Sequence, residues 1–199
     1  MQKKLVLIIS GHPSKESLSQ EIIKVIDTSI NAHFYDVKIY NAFDFPLVGD
    51  FVKNGLPKEF DPVAEDISRA DSIFVVGPMW NFNITGALKN FLDGAIQSRK
   101  HFHFTKLPLV NIGFPVGHLK TRLIYTIFTA DGPWIYYHLP FMKNNLIYAQ
   151  VERLFRVCGI HFWKYRRFAI CGVRALNKGQ IARRLNNLAK SVRRKFDGS

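Results

Sequence analysis

Apolar residues in this chain fall in two patterns. Some form short continuous runs: KLVLIIS (Lys4–Ser10), DSIFVVG (71–77), RLIYTIFT (122–129) and the segment from Trp163 to Gly172. Uninterrupted runs of this length predict strands buried on both faces of a parallel sheet. FYDVKIYNA (34–42) alternates instead, with Val37 and Ile39 on one side, and predicts a fifth strand with one wet face. Between the runs, apolar residues recur every three or four positions, the spacing of a helix with one buried stripe.

Five helices follow from that spacing. The first starts near Ser17 and turns Leu18, Ile22, Val25, Ile26 and Ser29 inward. The second has Asp61 as its cap, Pro62 in its first turn and an end near Ala70. The third runs from about Thr85, with Ala87, Leu88, Phe91, Leu92 and Ala95 inward. The fourth covers about Asn144 to Cys158, and the last starts at Asn177 and buries Ile181, Leu185, Leu188, Val192 and Phe196. Strands alternating with helices predict an α/β fold. The expected architecture is a three-layer sandwich in one domain over residues 1–199, with helices on both faces of a five-stranded parallel sheet in the order 2-1-3-4-5. Lys100 to Lys120, rich in Phe, His, Pro and Gly, reads as a long irregular stretch of the kind that carries function.

Composition narrows the class. The chain has 199 residues, 47% hydrophobic and 22% charged, as in ordinary globular proteins. No apolar run approaches the roughly 18 residues of a membrane span. The start, MQKKLVLIISGHPS, has a basic end and a short apolar run, but no small-residue cleavage site follows, so it reads as the first strand. Cys158 and Cys171 form no CxxC and no metal-ligand spacing. They read as small core residues in a reducing, cytoplasmic compartment, and no metal is expected.

The net charge is +13, and residues 151–199 carry +11 of it, from thirteen Lys and Arg against Glu152 and Asp197. Such a surface attracts anions. On the last helix, Arg183, Arg184, Lys190, Arg193, Arg194 and Lys195 fall on the solvent side of the stripe. No nucleic-acid motif accompanies them, so nucleic acid is not expected as a partner, while a peripheral partner stays open.

In a sheet of this order, ligands sit beyond the carboxyl ends of the strands, between the first and third. The loops there are GHPSKESLSQ, PMWNFNIT and TADGPWIYYH. The first leads into a helix start, where free amides and the dipole favour an anion. Ser10, Ser17 and Ser19 add hydroxyls and His12 adds a ring N–H. Capping by Ser17 accounts for one serine, not for three and a histidine. The glycine spacing fits neither a dinucleotide fingerprint nor a P-loop. Trp80 and Phe82 with Trp134 can wall a flat slot, and Asn81 adds an amide; ordinary core packing is the competing reading for any one of them.

These motifs carry a resemblance. HPxxxSxS after the first strand, PMWNFNITGALKNFLD after the third and TADGPW after the fourth are similar to the flavodoxin-like NAD(P)H:quinone oxidoreductases and FMN-dependent azoreductases. LFRVCGIHFW resembles the passage to the family's last strand, and the resemblance covers nearly the whole chain. It implies that the first loop holds a flavin phosphate through His12, Ser17, Leu18 and Ser19, beside the Ser10 hydroxyl already noted. It implies that Pro78, Met79, Trp80, Asn81 and Phe82 line one side of the isoalloxazine. Thr129, Ala130, Asp131 and Gly132 then bond its pyrimidine edge through the backbone. TADGP departs from the family's TTGG or TMDxP, and some members have Asn in place of Ser19.

The function so implied is a flavin-dependent oxidoreductase. NADH or NADPH passes a hydride to the flavin, and a small-molecule acceptor (a quinone, azo or nitro compound) collects two electrons in a ping-pong cycle. A compact phosphate loop with no adenine pocket points to FMN, with FAD the alternative. Tyr137 and His138, just after the flavin loop, are the nominated acids for the reduced acceptor. Members of the family are typically homodimers. The rival reading is a flavin-bearing redox-sensing regulatory subunit of a membrane or protein partner.

Overall fold

The computed structural model describes residues 2–49, 51–107, 110–119, 123–133 and 146–197. In chain order its elements are β1 (Lys4–Ser10), α1 (Leu18–Ser29), β2 (Tyr35–Asn41), α2 (Phe51–Asn54), α3 (Asp61–Arg69), β3 (Ser72–Trp80), β4 (Asn83–Ile84) and α4 (Gly86–Ala95). They continue with β5 (Phe102–Leu107), β6 (Val110–Gly117), β7 (Leu123–Ala130), α5 (Leu146–Val157), β8 (Tyr165–Cys171) and α6 (Lys178–Phe196).

The central sheet has the order β2-β1-β3-β7-β8, all parallel. The expected 2-1-3-4-5 order is therefore the observed one. Val6 to Ile9 of β1 have no exposed surface, because helices cover both faces. On one face Ile8 and Phe74 meet Ile22 and Ile26 of α1 and Val192 and Phe196 of α6. On the other, Leu7 and Val75 meet Ile67 of α3, Phe91 of α4 and Phe155 of α5. At roughly 1.5–3 kcal/mol per buried side chain of this size, these two clusters are the main source of stability. Cys158 and Cys171 are buried and free, and burial pushes the Cys158 thiol up to about 12. Asn177 caps α6 in a reciprocal box with Gln180. The basic side chains of that helix are exposed or half-buried.

Three local expectations change. Asp61 does not cap α3: the cap position is Phe60, which makes no side-chain cap bond. Phe60 is fully buried against Phe45 and Phe91, so packing sets where that helix begins. Lys100–Lys120 is not irregular: β5 and β6 form an antiparallel hairpin with Phe102 opposite Gly117 and Phe104 opposite Pro115. A two-stranded ribbon has free outer edges, so a proline costs it little. Finally, β3 continues past Gly77 to Trp80. β1 ends opposite Val76, and the missing N–H of Pro78 therefore breaks no ladder on that side.

The hairpin joins the body through His101, which is wholly buried. Its Nδ1 accepts from the Gln97 amide at 2.9 Å, so Nε2 carries the proton and donates to the Ala64 carbonyl at 3.0 Å. Burial holds the imidazole pKa below its usual value, against the pull of the Ala64 bond. The folded state then binds fewer protons than the unfolded chain. Stability is full above the unfolded value of about 6.5 and falls as pH drops through it toward the folded value. The urea midpoint is expected to fall between about pH 7 and pH 5.5, and to fall less in His101→Gln. An equal slope in that variant would refute the assignment.

Candidate active site

The carboxyl ends of β1, β3 and β7 bring three of the predicted segments together. Ser10 ends β1 and is buried; its hydroxyl accepts from the Gln20 side chain at 3.1 Å. Gly11 continues alongside β3, donating to the Val76 carbonyl at 2.7 Å. A Cβ at Gly11 would stand 2.8 Å from Leu88 Cδ2, so glycine lets this turn lie against α4. His12 Nδ1 then accepts from the Ser14 amide at 3.0 Å.

Ser17 caps α1 and accepts from the Gln20 amide at 3.3 Å. Ser19, at the second helical position, is 1% exposed, and its hydroxyl has no hydrogen-bond partner among the described residues. Nothing described there accepts from the amides of Leu18 or Ser19 either. A buried polar group without a partner costs about 1–3 kcal/mol. This turn therefore holds several donors in need of an acceptor. The Leu18 side chain packs into the α1–α6 core, so only its amide is available to a ligand.

PMWNF is a tight hairpin. Met79 and Trp80 of β3 pair with Ile84 and Asn83 of β4. Asn81 and Phe82 between them have φ of 51° and 60°. Positive φ at both central residues marks a type I′ turn, where Asn-Gly is the favoured pair and phenylalanine is strained. The turn holds Trp80 48% and Phe82 55% exposed. The Trp80 ring stands edge-on to His12, centroids 6.2 Å apart. Trp80 is thus not core. Met79 is buried behind it.

The third segment follows β7. Thr129 lies beside Pro78 in register, and Thr129 and Ala130 are buried. Pro78, Met79, Trp80, Thr129, Ala130 and Asp131 line a cleft of about 110 Å³, closed by Val173. Gly132 accepts from the Gly172 amide at 3.1 Å. Trp134, Tyr137 and His138 lie outside the described residues. A much larger cleft, about 950 Å³, is lined by Val48, Leu56, Asn90, Gln97, Phe102 and Leu154 and reaches Gly86. Its lining includes none of the three loops at the strand ends, so the smaller cleft there is the candidate site.

Two residues here escaped the sequence reading. Thr85 caps α4 through the Leu88 amide and donates to the Gly11 carbonyl at 3.0 Å, tying the first two loops together. Threonine ahead of a helical stripe signals the cap; nothing in the sequence signals its second bond. Arg174 places Nε 2.9 Å from Asp131 Oδ2, a pairing between distant segments that leaves no local pattern.

The strain at Phe82 supports a prediction. Phe82→Gly is expected to raise unfolding stability by up to about 1 kcal/mol, since glycine accepts positive φ freely. The check is a urea titration, and a loss of stability would mean that the aromatic is held by packing.

A sequence profile described as "Flavodoxin-like fold" matches residues 4–192. The chain belongs to this flavodoxin-like family. Among its curated relatives, the FMN-dependent NADH:quinone oxidoreductase of Metamycoplasma arthritidis is 25% identical over 163 residues, covering 76% of this chain and 82% of that one. The corresponding enzyme of Leptothrix cholodnii is 31% identical over 72 residues; the matched stretch covers 36% of this chain and only 32% of the relative. Among solved structures, the FMN-dependent NADH-azoreductase of Bacillus anthracis in complex with FMN superimposes with a TM-score of 0.74 at 21% identity. That match covers 98% of both chains and shows the shared flavodoxin-like fold.

Proposed function

We propose that this chain is an FMN-dependent NADH oxidoreductase acting on quinone or azo acceptors. The observation that carries the reading is the pairing of two features at one switch point. An unsatisfied helix start, with its orphaned Ser19 hydroxyl, adjoins a strained turn that keeps Trp80 and Phe82 exposed. The first suits a phosphate and the second a flat ring.

The residues present fit that cofactor. The hydroxyls of Ser10 and Ser19, the amides of Leu18 and Ser19 and the ring of His12 would hold the phosphate; the Ser17 hydroxyl, which donates to the Ser14 carbonyl at 3.1 Å, would join them by giving up that bond. Trp80 and Phe82 would flank the ring system, with Pro78, Met79 and Asn81 beside them, and backbone from Thr129 to Gly132 would meet its polar edge. FMN, when bound, supplies the two-electron chemistry, taking a hydride from NADH and passing the electrons on in a ping-pong cycle. The chain would position the ring through Trp80 and Phe82, and buried Met79 and Ala130 beside them would help exclude water from it. Tyr137 and His138 remain the proposed proton donors.

Phe104 and Phe114 of the hairpin are 62% and 60% exposed. We assign them to contact with a second copy of the chain, a homodimer that light scattering would detect. Two free buried thiols suit a cytoplasmic setting.

The test is the absorbance of the purified chain between roughly 350 and 500 nm after FMN is added and the excess removed. Retained bands that bleach anaerobically with NADH are expected. Retained bands that NADH leaves unchanged would turn the reading toward a regulatory flavoprotein. No retained flavin, in a folded sample, would overturn the cofactor assignment.

A further inference from the structure

The stretch HFHFTKLPLVNIGFPVGH contains three histidines that the candidate site does not use. His101 is occupied, with both ring nitrogens bonded inside the body. His103 and His118 are exposed and face each other across the base of the β5–β6 hairpin. Nδ1 of His103 lies 2.9 Å from Nε2 of His118. Nδ1 of His118 lies 3.1 Å from the Lys100 carbonyl oxygen. A carbonyl only accepts, so that nitrogen carries the proton and the Nε2 lone pair of His118 is turned toward His103. His118 shows half of the arrangement usual in metal-ligating histidines, its far N–H donated to a fixed acceptor while its near nitrogen presents a lone pair.

The support beneath the pair is stiff. The His118 amide donates to the His101 carbonyl at 2.8 Å, and the Leu119 amide to Cys158 at 2.7 Å. Gly117 sits directly on the backbone of Cys158 and Gly159. Lys100, whose carbonyl accepts from His118, has its own ammonium matched by Glu65 at 3.0 Å.

We propose that His103 and His118 chelate a divalent transition-metal ion, with water completing its shell, and that the ion replaces the hydrogen bond between the two rings and pins the base of the hairpin. Binding moves the His103 proton from Nδ1 to Nε2, so the neutral pair releases no proton. Among the described residues no group of three or more His, Cys, Asp or Glu side chains could share an ion, so the site depends on both imidazoles. Copper(II) binds ahead of nickel(II) and zinc(II), following their intrinsic order at nitrogen ligands.

The experiment is calorimetric titration of the tag-free chain with copper, nickel and zinc salts separately. It compares the wild type with His103→Gln, His118→Gln and, as a control, His161→Gln, whose ring is stacked on Trp163 elsewhere. One ion per chain is expected, weakened at least tenfold by either hairpin variant and by less than tenfold in the control. Affinity within tenfold of wild type in either hairpin variant, or equal damage in the control, overturns the proposal. A second measurement needs no variant: traces of copper should broaden the imidazole resonances of His103 and His118 before those of the other histidines. Broadening that begins elsewhere overturns the proposal as well.

Discussion

Replacing Trp80 by alanine is expected to weaken FMN binding by roughly 5- to 150-fold, the equivalent of about 1–3 kcal/mol for stacking an aromatic on a planar ring. The unfolding midpoint should barely move, by less than about 1 kcal/mol, because half of Trp80 already faces solvent. The contrast is Phe91→Ala. Phe91 has no exposed surface and touches Tyr40, Phe45 and Phe60, and its truncation should cost about 3–5 kcal/mol. Flavin fluorescence titration and urea unfolding on both variants separate wall from core. If Trp80→Ala loses several kcal/mol of stability, or binds FMN as the wild type does, Trp80 is not the flavin wall.

Gly117→Ala is expected to be the most damaging glycine-to-alanine exchange among the described residues. A Cβ there would lie 1.9 Å from the Cys158 carbonyl carbon, 2.0 Å from the Gly159 nitrogen and 2.3 Å from the Cys158 oxygen. All three are backbone atoms, which cannot turn aside as a side chain can. The end of β6 must lift from the end of α5, losing the 2.7 Å bond from Leu119 to Cys158. The expected cost is about 3 kcal/mol or more, at or above the upper end for overpacking. Hydrogen exchange should quicken first at the hairpin amides and at Leu119. A variant within about 1 kcal/mol of wild type, with unchanged protection there, would show that the two backbones can part cheaply. It would also remove the rigidity on which the His103–His118 pair depends.

Both predictions concern features that the sequence showed unequally. Trp80 and Phe82 were legible as candidates because they follow a strand and precede a helix. Whether they were wall or core was not, since exposure depends on what packs over them. The turn also hid its nature: Asn-Phe is not a hairpin signature, and the strain appears only in the dihedral angles. The hairpin at 102–117 was missed outright. Its Pro and Gly residues read as loop, and nothing local reveals which edges of a ribbon are free. Ser17 was recognised as a cap, but the solitary state of Ser19 could be seen only in the fold, where burial removes its water.

By itself, then, the sequence determined the alternation of strands and helices, the parallel order of the sheet and the loops that meet at the ends of its central strands. These are properties of periodicity and chain direction: an apolar run or stripe commits a segment to one geometry, and right-handed crossovers leave few orders open. Only the tertiary structure decided the contacts between distant segments. Thr85 on Gly11, Arg174 beside Asp131, His103 facing His118 and Gly117 against Gly159 each join residues whose partners cannot be read from their neighbours in the chain. Such contacts arise from how packed elements bring remote side chains and backbones within a few ångströms, and one-dimensional spacing holds no record of that distance.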